Sequence, residues 1–481
     1  MARRLAIVGV VAAVAGGGVG PAGAADLALP PAGYCVPAPA DGTWAPRATG
    51  ALDAPAAPTR PIAILDTGVD PGASQLAGRV LPGWDALSGA PVSDDWDGHG
   101  TEAAGLAASA GPGMRGMSPA SQVLPIRIYP VGSRTASVDA VVKGIGLAVA
   151  KGAGVVVVEG SAPLAGTSDA DVRRLTSAVD AAFAAGVLVV AGAGDDTLGD
   201  PTLPASLPHV LVAGAATATP SRSAQVDTGP WLDLLVPAEG VEGPLPLGLC
   251  AAGFGFSTGT SFAAPSLGGA VALVAAQRPG LTTQQLFEVI RRAGTDIGAA
   301  GRDDDSGFGV LAVGSALSAA PQGKDTSPEV DDDPYWVRRG AFARAHPQLL
   351  TKAKLRFKAK GSVSAAKDPA DVYRVSLSKR ERLVVSVAAA DPDALLELAI
   401  LDPHVADFDV TDGVDQYALV ATGGLSSDPQ LELTAARSGT YYIAVEAAEA
   451  VNPDDPTVMA ADLEPYTVSA YKQRKRAARK R

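Results

Sequence analysis

Five short apolar runs decide what this chain can fold into. PIAIL (61–65), QVLPIRIY (122–129), GVVVV (154–158), GVLVV (186–190) and HVLVAGA (209–215) are almost free of polar residues. A strand with one face in water alternates apolar and polar positions, so runs that are apolar throughout belong to strands buried on both faces. Ala-rich amphipathic segments lie between them, among them SVDAVVKGIGLAVAKG (137–152) and SDADVRRLTSAVDAAFAAG (168–186), which read as helices. Near-continuous apolar strands alternating with helices predict an α/β domain over residues 61–318, built on a doubly covered parallel sheet.

The rest of the chain divides by composition. Arg3 and Arg4 precede the apolar run LAIVGVVAAVAGGGVG, and Ala22-Gly23-Ala24 supplies small residues for cleavage. This is the pattern of a secretory signal peptide over 1–24, which places the mature protein outside the cytoplasm. No later run reaches the 18 apolar residues that a membrane helix needs, so no transmembrane segment is expected in the mature chain. Residues 25–60 form an N-terminal extension, too short and Pro-rich to fold alone. Residues 319–350 read as a linker, in which EVDDDP (329–334) gives way to Arg338, Arg339 and Arg344. From 351 to 470, segments such as DVYRVSL, RLVVSVAA and GTYYIAVEA are strand-like and joined by turn residues, which predicts a small all-β sandwich.

The net charge of −12 argues against a nucleic-acid partner. The basic tail, 471–481, reads either as a solvated end or as a contact with an anionic cell surface. Two cysteines, Cys35 and Cys250, permit one disulfide in an exported protein; two unrelated buried thiols are the alternative.

Three polar positions interrupt the apolar pattern. Asp66 ends the first strand, His99 precedes an Ala-rich helix in DWDGHGTEAAGLAAS, and Ser261 opens another in FSTGTSFAAPSLGG. Singly, each has a plain reading as a strand-end cap, a turn histidine or a helix cap. Together, D-T-G, H-G-T and G-T-S-x-A-x-P occur in the order Asp, His, Ser, and in that order the chain resembles the subtilisin-like serine proteases over about 55–318. The resemblance implies a subtilisin-like fold and peptide-bond hydrolysis. Ser261 would be the nucleophile, His99 its base, and Asp66 the group that orients the imidazole. It assigns Ser161, Gly192, Ala193 and Gly194 to the walls of the substrate pocket, with Asp196 near its base. Protein or peptide is the implied substrate, and no cofactor is called for. The acids Asp94, Asp95 and Asp97 are open to reading as a turn, a calcium site or a subsite bias, and no metal is assigned to them.

Several positions depart from the family pattern. Where the family has an asparagine that completes the oxyanion hole, AGAGDD places Asp195. Where a second asparagine opens the strand lining the substrate cleft, EGSAP places Glu159, and Pro163 replaces a glycine, removing one N–H donor. Glu102 in HGTE reads as a harmless acid at a helix start. An ionised Asp195 would oppose a developing oxyanion, whereas a protonated one would donate as the amide does, with activity favoured below neutral pH. A catalytically impaired scaffold is therefore the competing reading. The short extension pinned by Cys35, with D-x-D-G-H-G-T and VLPIR, also resembles the mycosins, processing proteases of a secretion system. DPADVYRVSL, LLELAILDP and SGTYYIAVEA resemble the pre-peptidase C-terminal domain.

Overall fold

The computed structural model describes residues 26–28, 34–37 and 42–319, apart from short gaps at 56, 58, 112, 165–166, 197–201, 208, 230 and 299–301. Beyond these it describes 348–350, 355–363, 370–392, 396–401, 419–422, 426–447 and 464–473. The expected signal peptide, the charged part of the linker and residues 474–481 of the basic tail lie outside the described residues.

The extension supplies β1 (Asp26–Ala28), β2 (Tyr34–Val36) and a short helix α1 (Trp44–Ala48). The next elements are β3 (Ile62–Asp66), β4 (Gly83–Asp85), β5 (Pro91–Val92), α2 (His99–Ala108), β6 (Val123–Arg127) and β7 (Thr135–Ser137). They are followed by α3 (Val138–Ala150), β8 (Val155–Val158), β9 (Ala162–Pro163), α4 (Asp169–Ala184), β10 (Leu188–Gly192) and β11 (Thr202–Leu203). The region closes with β12 (Val210–Ala216), β13 (Leu234–Pro237), β14 (Glu239–Pro244), β15 (Phe254–Thr258) and α5 (Thr260–Gln277). Last come α6 (Thr283–Arg291), β16 (Gly294–Thr295), β17 (Val310–Leu311) and α7 (Val313–Ser318).

Ten of these strands form one sheet in the order β16-β17-β13-β12-β10-β8-β3-β6-β4-β5. All pairs are parallel except β4–β5 and β16–β17 at the two edges. The expected parallel sheet is thus present, finished on each side by a two-residue antiparallel strand. Such edges need no crossover helix and leave little backbone to pair with another chain.

The central strands are apolar because both faces are covered. Ile62, Ala63, Ile64 and Leu65 are completely buried. Helices α3 and α4 pack together on the sheet, and α2 and α5 form a second packed pair. Helix α5 is buried from Thr260 through Val274, so its sequence is apolar on all sides and not amphipathic. It reaches α2 closely because Gly269 has no side chain: a Cβ there would lie 2.6 Å from the carbonyl oxygen of Ala107. The helix starts carry the expected signals. Ser137 caps α3, Ser168 caps α4, and Thr282 with Gln285 forms a capping box on α6.

The two strands of the extension lie along this region. β1 pairs antiparallel with β7, Asp26 opposite Ser137 and Ala28 opposite Thr135, and runs beside β9. β2 pairs antiparallel with β15, and Cys35 is bonded to Cys250, with the two Cα atoms 5.5 Å apart. Among the described residues no helix is long and apolar enough to cross a membrane.

Beyond the linker the described residues form nine strands: β18 (Gln348–Leu350), β19 (Arg356–Val363), β20 (Ala370–Leu377), β21 (Arg382–Ala389), β22 (Leu396–Leu401), β23 (Leu419–Thr422), β24 (Gln430–Thr434), β25 (Gly439–Ala447) and β26 (Glu464–Gln473). They make a five-stranded sheet, β18-β20-β25-β22-β23, and a four-stranded sheet, β19-β26-β21-β24. Tyr373, Val375, Ile443 and Val445 from the first share one core with Leu383, Val385, Val468 and Ala470 from the second. The strands begin at Gln348, within the segment read as linker, and Tyr471, Lys472 and Gln473, counted with the basic tail, belong to β26.

Candidate active site

The sheet places its functional groups at the carboxyl ends of the central strands. Asp66 is the last residue of β3, opposite Arg127 of β6. Leu65 pairs with Val158 of β8, so Asp66 and Glu159 come level at adjacent strand ends. Asp66 is fully buried; its Oδ1 accepts the N–H of Thr67 at 2.6 Å and its Oδ2 lies 2.7 Å from His99 Nδ1.

His99 is the first residue of α2, also fully buried, and follows Gly98 at φ 101°. The helix can come this close to β3 only because residue 100 is glycine. A Cβ at Gly100 would lie 2.0 Å from the Gly68 carbonyl oxygen and 3.0 Å from the Asp66 Cβ. Asp95 fixes the same junction. Its Oδ1 accepts from Thr67 Oγ1 (2.7 Å) and the Gly98 N–H (2.9 Å), and its Oδ2 accepts from the Thr101 N–H (2.8 Å) and hydroxyl (2.6 Å). Its two acidic neighbours are also engaged: Asp94 pairs with Arg127 at 3.0 Å and Asp97 with Arg134 at 2.7 Å. Burial raises the Asp95 carboxyl above its ordinary range, opposed by the Thr101 bond and reinforced by the charge of Asp66.

Ser261 is buried in the first turn of α5, after Gly259 at φ 141°. Phe262, the next residue, packs its ring against the His99 imidazole, centroids 5.4 Å apart. In the neutral imidazole, with Nδ1–H directed to Asp66, the lone pair is on Nε2, an atom that is buried and has no hydrogen-bond partner among the described residues. Catalytic hydrogen bonds are commonly long in a resting site and tighten with substrate. Burial pushes the His99 pKa down. The charge and hydrogen bond of Asp66 push it up, aided by Glu159 and Glu102, and it ends at about 9.

Two acids differ from their sequence reading. Glu102 has the sequence of a harmless helix-start acid, yet it is completely buried, and its Oε1 accepts the Ser257 hydroxyl at 2.6 Å. The β14–β15 hairpin covers it: a Cβ at Gly243 would lie 2.5 Å from Glu102 Cγ. Glu159 stands in the sequence only as a departure, and the structure brings its carboxylate, that of Asp66 and a His99 ring nitrogen within 4.8 Å of one another.

The pocket positions lie together at the ends of β8 and β10. Ser161 is half-buried just before β9, which pairs with β11. Gly192 ends β10, and Ala193 and Gly194 are buried, the Ala193 carbonyl accepting Thr202 Oγ1 at 3.2 Å. Asp195 belongs to an exposed bend, but its carboxylate points inward at the start of α5. The Thr260 N–H lies 3.0 Å from Oδ1 and 2.9 Å from Oδ2, and the Thr260 hydroxyl donates to Oδ2 at 2.9 Å. Loss of water raises the Asp195 carboxyl, the Thr260 and Gln225 bonds lower it, Asp196 raises it, and the net direction is up.

The profile described as Subtilase family matches residues 60–309. Among curated proteins, the chain is 28% identical over 239 residues to "Alkaline elastase YaB" of Bacillus sp. (strain YaB), covering 49% of this chain and 60% of that protein. It is 29% identical over 269 residues to "Minor extracellular protease Epr" of Bacillus subtilis (strain 168), covering 54% and 40%. To "Subtilisin Savinase" of Lederbergia lenta it is 27% identical over 240 residues, covering 50% and 84%. The chain therefore spans less than two thirds of the first two relatives. Among solved structures, "Crystal Structure of a Lanthipeptide Protease" superposes with a TM-score of 0.51 at 22% identity, covering 57% of this chain and 93% of that one, a likeness of fold.

Proposed function

The chain belongs to the subtilase family, and on that premise we propose that it is a secreted serine endopeptidase acting through Asp66, His99 and Ser261. The observation that carries this reading is the buried Asp66–His99 pair at 2.7 Å, whose outer nitrogen has no partner among the described residues and whose ring packs on the residue after Ser261. His99 Nε2 takes the Ser261 proton as Oγ attacks the substrate carbonyl, and Asp66 stabilises the imidazolium that results. The acyl-enzyme forms as the amine leaves with that proton, and water repeats the sequence in reverse. Backbone N–H groups at the start of α5 support the developing oxyanion. Asp195, tied to Thr260, holds that first turn and contributes no donor while ionised. Ser161 and Gly192–Gly194 line the adjoining pocket.

The second reading, a binding scaffold that has lost activity, is favoured by Asp195, Glu159 and Pro163. A fluorophosphonate probe separates the two. The peptidase reading expects covalent labelling of the mature chain, abolished in Ser261→Ala, and turnover of a peptide library. A folded chain that neither labels nor cleaves at any pH belongs to the scaffold reading.

A further inference from the structure

Glu159 has no task in that mechanism, and its surroundings are costly for an idle acid. Its backbone is held on both sides: its N–H donates to the Leu65 carbonyl at 3.1 Å and its carbonyl accepts the Tyr129 hydroxyl at 2.8 Å. The side chain is 1% exposed. Oε1 is buried and has no hydrogen-bond partner among the described residues. A carboxylate with a buried oxygen that has no donor is stabilised by a nearby charge that compensates it or by taking up a proton.

The Glu159 carboxylate, that of Asp66 and a His99 ring nitrogen lie within 4.8 Å of one another, and the groups acting on Glu159 come from four elements. Asp66 at the end of β3 and Asp195 beyond β10 are acids, Tyr129 follows β6, and His99 opens α2. His99 alone can become a cation. Glu102, in the first turn of α2, adds a further acid acting on the same imidazole. With both Asp66 and Glu159 ionised and His99 neutral, two negative charges would share a dry cluster. One proton must therefore be held by either Glu159 or His99, and the two titrate as a coupled pair.

We propose that Glu159 is a positioning residue for the reaction: a second carboxylate on the imidazole that sets the basicity of His99 and so the pH range in which Ser261 is activated. The inference rests on the peptidase reading of Asp66, His99 and Ser261. An imidazolium with two carboxylates within 4.8 Å is compensated twice, which favours the proton transfer from Ser261 in the transition state. The same compensation lets the resting imidazole hold a proton to higher pH, which blocks it as a base. Burial places the Glu159 carboxyl well above its ordinary range, with Asp66 and Asp195 adding to the rise and His99 opposing it, as this coupling requires.

The test uses the full mature chain and two variants. Glu159→Gln keeps the shape and removes the charge; Glu159→Asp keeps the charge with a shorter reach. Two quantities are followed: the pH profile of kcat/KM on a peptide substrate, and the NMR titration of the His99 imidazole, assigned by its loss in His99→Ala. In Glu159→Gln the acid limb and the imidazole titration are expected to move down together by about one pH unit, a tenfold change in rate at the foot of the limb. Glu159→Asp is expected to keep most of the parent profile. A Gln profile whose limb does not move overturns the proposal, even if activity falls evenly at all pH values, because that is the mark of a structural role. If the protein proves inactive, the NMR titration still decides: a downward shift upholds the coupling while the peptidase reading fails, and an unmoved imidazole removes the coupling itself. Should the Gln variant not fold, the Asp variant and Glu159→Asn carry the same comparison.

Discussion

Asp195→Asn tests the position that the proposed mechanism places beside the oxyanion. In the parent the carboxylate takes three contacts from Thr260, between 2.9 and 3.0 Å. The asparagine Oδ1 can accept the same N–H and hydroxyl, so the first turn of α5 keeps its anchor while Nδ2 gains two hydrogens to donate. In subtilisin, one side-chain donor aimed at the oxyanion is worth about 2.7–4 kcal/mol, a factor of roughly 10²–10³ in kcat, and that scale is carried over to this site. Removing a negative charge beside the oxyanion acts in the same direction.

The gain depends on pH, and its sign follows from the protonation of Asp195. Above its pKa the residue is an anion and offers no donor, so the amide gains the full amount. Below that pKa, raised from the ordinary value by loss of water, the acid has an O–H of its own and the advantage shrinks. The His99 titration limits both proteins, and because Asp195 reaches the imidazole only through Glu159 it largely cancels in their ratio. The assay is kcat/KM on one peptide for both proteins across the pH range. The variant-to-parent ratio should be about 10² at roughly pH 9 and fall steadily towards roughly pH 5.5. A ratio that is constant with pH would falsify the protonation argument. A ratio at or below one throughout would show that residue 195 does not face the oxyanion.

Two further outcomes follow from the fold. Secreted protein should have an intact mass about two daltons below its reduced form, and Cys250→Ser should lower the melting temperature, since the bridge closes a loop of 215 residues and is worth about 5 kcal/mol in the chain-entropy view; two titratable thiols would contradict this. Because β1 pairs with β7 and runs beside β9, where an extended substrate would lie, deleting residues 25–28 should lower KM for long peptides with little change in kcat; an unchanged KM places the substrate elsewhere.

The sheet was legible in the sequence, and so were Asp66 and His99, which the structure brings together, because each is announced locally. Buried strands write themselves as unbroken apolar runs, and Asp66 stands out as the charge that ends one. His99 and Ser261 follow Gly98 and Gly259, whose positive φ angles make the tight entries into α2 and α5. What was not legible depends on contacts between distant segments. Glu102 has the sequence of a solvated helix-start acid, and only the hairpin of β14 and β15 buries it, with its partner Ser257 155 residues further on. The placement of β1 rests on three residues, too few to show a period. An acid optimum from a protonated Asp195 considers one group alone. The acids around His99 hold it to about 9, so its base form is present above that value and lost as pH falls through it, and the proposed peptidase is expected to work on the alkaline side.

Asp195 and Glu159, the acids at the two positions where the resemblance implies asparagines, act on one electrostatic system. The charge of Asp195 raises the Glu159 carboxyl, and Glu159 in turn raises His99. A negative charge at 195 thus has opposite effects at two places. In the proposed peptidase it would oppose the oxyanion that forms on the substrate, and through Glu159 it bears on the proton shared with the imidazole. The burden on the oxyanion is short-range and lies wholly in the transition state, whereas the effect on His99 is already present in the resting protein. Restoring asparagine at 195 therefore removes the first directly and disturbs the second only through an intermediate carboxyl. Restoring an uncharged side chain at 159 does the reverse. The oxyanion effect accordingly belongs to the height of the rate at a given pH, and the imidazole effect to the position of the pH limb.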